Sequence, residues 1–178
     1  TATTLVFAQK VTGQLKFEQG QTLSITVQTK TTISQQAMGQ AIDFMADGSA
    51  THLYKVTNAT NDNTTLHHQV QQISFNFDGM GQKRSFDSNN EKDMNGQFGN
   101  PIKEILGKTF DMIIDPNGKV LMVIPEKTDT TKMDQRMAMI TNMLKEVLDI
   151  ALPPQKGTAS FFKVLPENET GPGDSWNE

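Results

Sequence analysis

The three histidines, His52, His67 and His68, are the side chains best suited to acid–base or metal chemistry. A zinc centre needs three or four ligands converging on one point. His67 and His68 are neighbours in a segment of strand character, where successive side chains point to opposite faces, so they do not converge on one ion. There is no cysteine to complete a ligand set. No metal and no cofactor is therefore expected, and the adjacent histidines read as one surface and one half-buried side chain. Nucleophilic catalysis needs a hydroxyl or thiol beside a base and an orienting group, and the chain has no Gly-x-Ser-x-Gly elbow. Asp111 and Asp115 flank an apolar strand but share the parity opposite to Phe110, Met112 and Ile114, which puts them on the solvent side of a hairpin. No catalytic residue is expected, and the chain does not read as an enzyme; a hydrolase is the minor alternative.

The methionines Met133, Met137, Met139 and Met143 form a denser cluster. Thioethers bind Cu(I), but no acidic or histidine ligand interleaves with them. Met133 and Met137 fall on one helical stripe with Ile140 and Leu144, which reads as a packing face. A Met-rich surface also adapts to varied apolar ligands. If the chain holds such a ligand, its expected lining is Phe75, Phe77, Phe110, Met112, Met137, Ile140 and Leu144. The same residues would serve equally as a dry core.

Alternation of apolar and polar residues supplies most of the elements that carry these side chains. Gln14–Phe17 reads as a short strand, and Leu23, Ile25 and Val27 alternate with Ser24, Thr26 and Gln28 in a longer one. The triplet Met-Gly-Gln occurs at 38–40 and again at 80–82, each time with a phenylalanine (Phe44, Phe86) at the same offset. A glycine between alternating runs supplies a hairpin turn, so two β-hairpins with similar tips are expected. Tyr54–Thr57 reads as a strand, and so does Thr64–Phe77. In the latter Leu66, His68 and Val70 share one parity, while Ile73, Phe75 and Phe77 share the other. That switch calls for a bulge near Gln71-Gln72 or a change of buried face.

Ser88–Gly99 is polar and loop-like, and Pro101 then opens a short helix that Gly107 can end. Phe110, Met112 and Ile114 form one arm of a hairpin that turns at Pro116-Asn117-Gly118 and returns through Val120 and Met122. Met133 to Leu152 has the period of a helix of about five turns, stopped by Pro153-Pro154, and Ser160–Leu165 reads as a final strand. The expected fold is mainly β: a curved antiparallel sheet or open half-barrel of about seven to nine strands, with one long amphipathic helix packed on it. A two-sheet sandwich with the helix at one end is the alternative.

Length and charge narrow the class. The 178 residues suit one domain that needs no disulfide or metal to fold. Net charge is −4 and the longest basic run is Lys83-Arg84, so nucleic acid is not an expected partner. No stretch approaches the ~18 apolar residues of a membrane span. Residues 1–8 are uncharged and end in Val6-Phe7-Ala8, with Val6 and Ala8 at the third-last and last positions, where signal peptidase accepts small residues. They are expected to be the remnant of an export signal, with residues 9–165 forming one β-rich domain. Residues 166–178 would then be a loop and the start of a C-terminal part that continues beyond Trp176.

The corner at Met38-Gly39-Gln40, the Gly81-Gln82 and Phe86-Asp87-Ser88 pair, the Asp115 to Val120 hairpin and Gly173-Asp174-Ser175-Trp176 carry a resemblance. In this order and spacing they resemble a family of exported Bacteroidota proteins of the DUF6263 type, over about Gln14 to Trp176. The resemblance implies export to the periplasm or cell envelope and further chain past Trp176, and it implies no catalytic residue. At fold level only, the expected architecture is similar to the half-barrel of the lipoprotein carrier LolA, which holds acyl chains. The functional expectation is thus a non-catalytic envelope protein that binds an apolar small molecule, a lipid or a polypeptide between sheet and helix. A structural subunit that docks onto an envelope partner is the alternative.

Overall fold

The computed structural model describes residues 10–37, 40–79, 82–124, 150–166 and 168–176. Within them the chain forms β1 (Thr22–Ala37), β2 (Gln40–Ala59), β3 (Thr64–Gly79) and β4 (Gln82–Asp87), then α1 (Glu91–Met94) and α2 (Gly99–Leu106), then β5 (Thr109–Ile114) and β6 (Val120–Ile124). All strand pairs are antiparallel, in one curved open sheet of order β1-β2-β3-β5-β6. β4 pairs with the second half of β3, and β5 pairs with its first half. The two short strands thus lie end to end along one edge of β3, with α1 and α2 spanning the gap between them in sequence.

The hairpins reverse where the glycine corners imply: β1 and β2 close at Ala37↔Gln40, and β3 and β4 at Gly79↔Gln82. The parity switch in β3 is a bulge. Thr51 faces Gln72 but His52 faces Val70, so Gln71 is the extra residue. The extra residue keeps Leu66 and Val70, then Ile73, Phe75 and Phe77, all on the buried face. From Ala46 to Val56, β2 presents its even-numbered residues to the same face. Ala46, Gly48 and Ala50 lie opposite Phe77, Phe75 and Ile73, small side chains against large ones.

The buried face carries two apolar clusters. The first joins Ala50, Val70, Ile73, Phe75 and Phe86 to Ile102 of α2 and to Ala151. Phe75 stacks on Phe86 and meets Phe98 edge-on, both at 5.2 Å between centroids. The second joins Tyr54, Val56 and Leu66 to Phe110, Met112 and Ile114 of β5, to Val120 and Val123 of β6, and to Phe162.

Four expectations change. The described residues hold six strands, fewer than seven to nine, because neither Gln14–Phe17 nor Ser160–Leu165 joins the sheet. Leu15 donates its N–H to the Pro116 carbonyl at 2.9 Å, and Ser160 donates its own to Gly118 at 3.0 Å. These segments fasten to turns rather than to a strand. Ser88–Gly99 is not all loop, because Asn90 caps α1 by accepting from the Lys92 and Asp93 amides. Met122 faces solvent, since a register shift lets β6 bury Val120 and Val123 instead.

The helices among the described residues are short, four and eight residues. The long helix expected over Met133–Leu152 lies outside the described residues up to 149, and Ile150–Leu152 form a turn. The segment 1–8 also lies outside them. Among the described residues no helix is long and apolar enough to cross a membrane.

Candidate functional site

The register of β2 on β3 brings two histidines together on the buried face. His52 lies opposite Val70, and Tyr54 lies opposite His68, so the two imidazoles are diagonal neighbours. Each is only 1 % exposed, and His52 Nδ1 lies 2.8 Å from His68 Nε2 in a hydrogen bond. The pair fills the seam between the two apolar clusters: Ala50 and Val70 flank it on one side, Tyr54 and Leu66 on the other. Aromatic rings enclose it. Phe110 is 4.1 Å from His68 by centroid, Tyr54 is 4.7 Å from His68, and Phe161 is 5.2 Å from His52.

This environment fixes the protonation state. Burial lowers His52 to about 4, and burial with the charges of His52 and His67 lowers His68 to about 3. Both rings are neutral at pH 7, and one N–H is shared between them. Counting protons, one outer nitrogen is then a donor and the other an acceptor. His52 Nε2 and His68 Nδ1 are these outer atoms, and both are buried without a hydrogen-bond partner. Burial also pushes the Tyr54 phenol up.

A cleft of about 340 Å³ lies over this seam. Tyr54 and Met112 reach it from the second cluster, Ile150 from the edge of the first, and Phe161 from above His52. Leu152 and Pro153-Pro154 extend the apolar lining. The polar groups in it are few. Ser160 is satisfied, donating to the Gly118 carbonyl at 2.6 Å and accepting from the Phe162 amide. The Thr29 hydroxyl, also on the lining, is buried and without a partner.

The structure disperses the residues expected to line a site. Met112 lines the cleft. Phe110 sits beside it in the same cluster, packed on His68. Phe75 belongs to the other cluster and borders a groove of about 440 Å³ with Gln28, Lys30 and Asp47. Phe77 borders a charged groove of about 330 Å³ with Asp78, Lys83 and Arg84. Met137, Ile140 and Leu144 lie outside the described residues.

The histidines correct an expectation. Across the adjacent pair, His67 is the surface residue, its Nδ1 2.7 Å from Asp111 Oδ1 on the outer face, while His68 is fully buried rather than half-buried. The distant His52 is its partner. The signal lay in parity, since His68 alternates with Leu66 and Val70, and His52 with Ala50 and Tyr54. Asp115 caps the turn, its Oδ1 accepting from the Asn117 and Lys119 amides. Among the described residues no group of three His, Cys, Asp or Glu could hold a metal ion.

Compared with known proteins, residues 61–178 match the model of a family described as a family of unknown function, DUF6263. No curated protein matches the chain, and no solved structure does.

Proposed function

The chain belongs to the DUF6263 family, whose function is unknown, and from that premise we propose that it is a non-catalytic protein of the cell envelope that holds a small, mainly apolar molecule. The site is the cleft over the histidine seam. The observation that carries this assignment is the lining: apolar side chains from both clusters around one buried, unpartnered hydroxyl, that of Thr29. A volume of about 340 Å³ falls in the range of small-molecule sites, which pair an apolar wall with a few placed polar groups. An unpartnered buried hydroxyl costs about 1–3 kcal/mol, a cost that a ligand's polar group would offset. The ligand class is thus an apolar molecule bearing one hydrogen-bonding group. The spacing of Met137, Ile140 and Leu144 assigns them to the same ligand on sequence grounds alone. Export rests on the Val6-Phe7-Ala8 pattern.

Native mass spectrometry of the full-length mature protein, purified from its own envelope without detergent, tests this. A reproducible extra mass that leaves on denaturation is expected; a clean apoprotein mass from several preparations would remove the reading.

A second reading, an accessory subunit that docks onto an envelope partner, draws on β6. This strand ends the sheet among the described residues and exposes Leu121, Met122 and Ile124. A hydrolase has the least support. The imidazole–carboxylate pair that suits acid–base work, His67 and Asp111, stands on the outer face rather than in the cleft.

A further inference from the structure

We propose that His52 and His68 are a proton-operated latch, which holds the two halves of the core together beneath the cleft and opens the cleft on acidification. This regulation rests on the cleft being the binding site.

The geometry carries it. Two neutral imidazoles share one N–H across 2.8 Å between members of the two apolar clusters. Two rings that contact the pair, Tyr54 and Phe161, also line the cleft, so any motion of the pair reaches the ligand site directly. The strand beside the pair is already irregular: the bulge at Gln71 falls between Val70 and Gln72, opposite the step from Thr51 to His52. A bulge interrupts the ladder and leaves a residue unpaired, so the ladder between β2 and β3 is already weakened beside the pair.

Proton bookkeeping gives the direction. The neutral pair has one free lone pair, on the outer nitrogen of whichever ring donates the shared N–H. A first proton goes there, and the resulting imidazolium can still donate to its neighbour. A second proton has to take the lone pair that accepts the bond, leaving two N–H groups face to face at 2.8 Å. The bond then breaks, and two charges stand in an apolar seam. Opening is therefore a process of up to two protons.

Among the described residues nothing nearby offsets those charges. β1 presents Ile25 opposite His52, β5 presents Phe110 against His68, and the 150–166 segment presents Phe161. The titratable neighbours are Tyr54 on β2 and His67 on β3, the latter paired with Asp111 on the outer face. Neither lends the pair a negative charge at neutral pH. Closed rings that titrate at about 4 and about 3 become ordinary imidazoles, near 6.5, once open and hydrated. Acid therefore drives opening, with a midpoint between those limits.

Tyr54 is the single tyrosine of the chain, so incorporating 3-fluorotyrosine makes fluorine-19 NMR a reporter of this site alone. The whole chain is titrated from pH 7.5 to pH 4, with far-UV circular dichroism following the sheet. The expected result is a reversible shift of the Tyr54 resonance, steeper than a one-proton curve, with the sheet signal retained. Over the same range the neutral apolar dye N-phenyl-1-naphthylamine should lose about tenfold or more in affinity. In His68→Gln, whose amide can bond His52 without titrating, the shift should become shallower, a one-proton curve at most. A Tyr54 resonance that stays fixed to pH 4, or that moves only with loss of the sheet, overturns the latch. So does an identical transition in His68→Gln and His52→Gln. If these variants do not fold, nitrogen-15 histidine spectra of the native chain decide: protons arriving on the buried rings during the Tyr54 transition support the latch, and rings neutral throughout it overturn it. A dye that does not bind at pH 7.5 removes the cleft assignment, and the Tyr54 titration still decides the latch.

Discussion

A buried, neutral imidazole pair stabilises the fold only above the pH at which free imidazoles take up protons. In the unfolded chain both histidines titrate near 6.5, whereas in the fold burial holds them at about 4 and about 3. Below pH 6.5 the unfolded state binds more protons, so stability is complete above that pH and is lost as pH falls toward the folded values. For a pair that stays closed, the loss by pH 4.5 should be about 2.5 kcal/mol per histidine. Urea denaturation at pH 7.5 and pH 4.5 checks this; equal midpoints would contradict it. The pair should also be strongly non-additive. His68→Leu strands the Nδ1 of His52 in an apolar seam and should cost about 2–3 kcal/mol, while adding His52→Leu should recover part of that loss. A double-mutant cycle with additive losses would show that the rings do not act as a pair. Little of this was legible beforehand. Each histidine sits at a buried parity, but the partnership depends on how β2 registers against β3, which the parity of either strand alone does not give.

The strands and turns were far more legible, because their causes are local. Glycine corners placed both long hairpins, and the parity switch placed the bulge within one residue of Gln71. The segments misjudged as strands, Gln14–Phe17 and Ser160–Leu165, alternate in the same way but bond to turns, a choice made by the tertiary fold and invisible to a period-two count. Gly118 shows how tightly one such attachment is built. It has φ +85°, and a Cβ there would come within 2.7 Å of the Lys163 backbone nitrogen. Gly157 has φ +86° but nothing within 4 Å. Gly157→Ala should thus cost only the left-handed strain, about 1–2 kcal/mol. Gly118→Ala adds a backbone collision that can be relieved only by detaching the Ser160–Lys163 segment, and should cost about 3 kcal/mol or more. Comparing the two variants by urea denaturation separates strain from collision; equal losses would mean that the segment yields freely.

At the scale of the molecule, the family match and the folding unit do not share a boundary. The match begins at residue 61, in the turn between β2 and β3, yet the sheet runs straight across that point. β2 pairs with β3 along nearly its whole length, from Phe44↔Gly79 to Ala59↔Thr64. The β1–β2 hairpin also supplies Ala50 to the first cluster, Tyr54 and Val56 to the second, and His52 to the seam. Thr29 and Tyr54 of the same hairpin line the cleft. Without it β3 would become a bare edge of sixteen residues carrying Leu66, Val70, Ile73 and Phe75 toward water. A fragment of residues 61–178 should therefore fail to fold alone, showing collapsed amide dispersion and a weak sheet signal, while the whole chain gives dispersed spectra. Amide NMR and far-UV circular dichroism on the two proteins make the comparison. If the fragment folds with the dispersion of the whole chain, the hairpin is an addition to a self-sufficient core. The histidine pair would then be a device that the hairpin brings to this chain rather than a support on which the family's shared region depends.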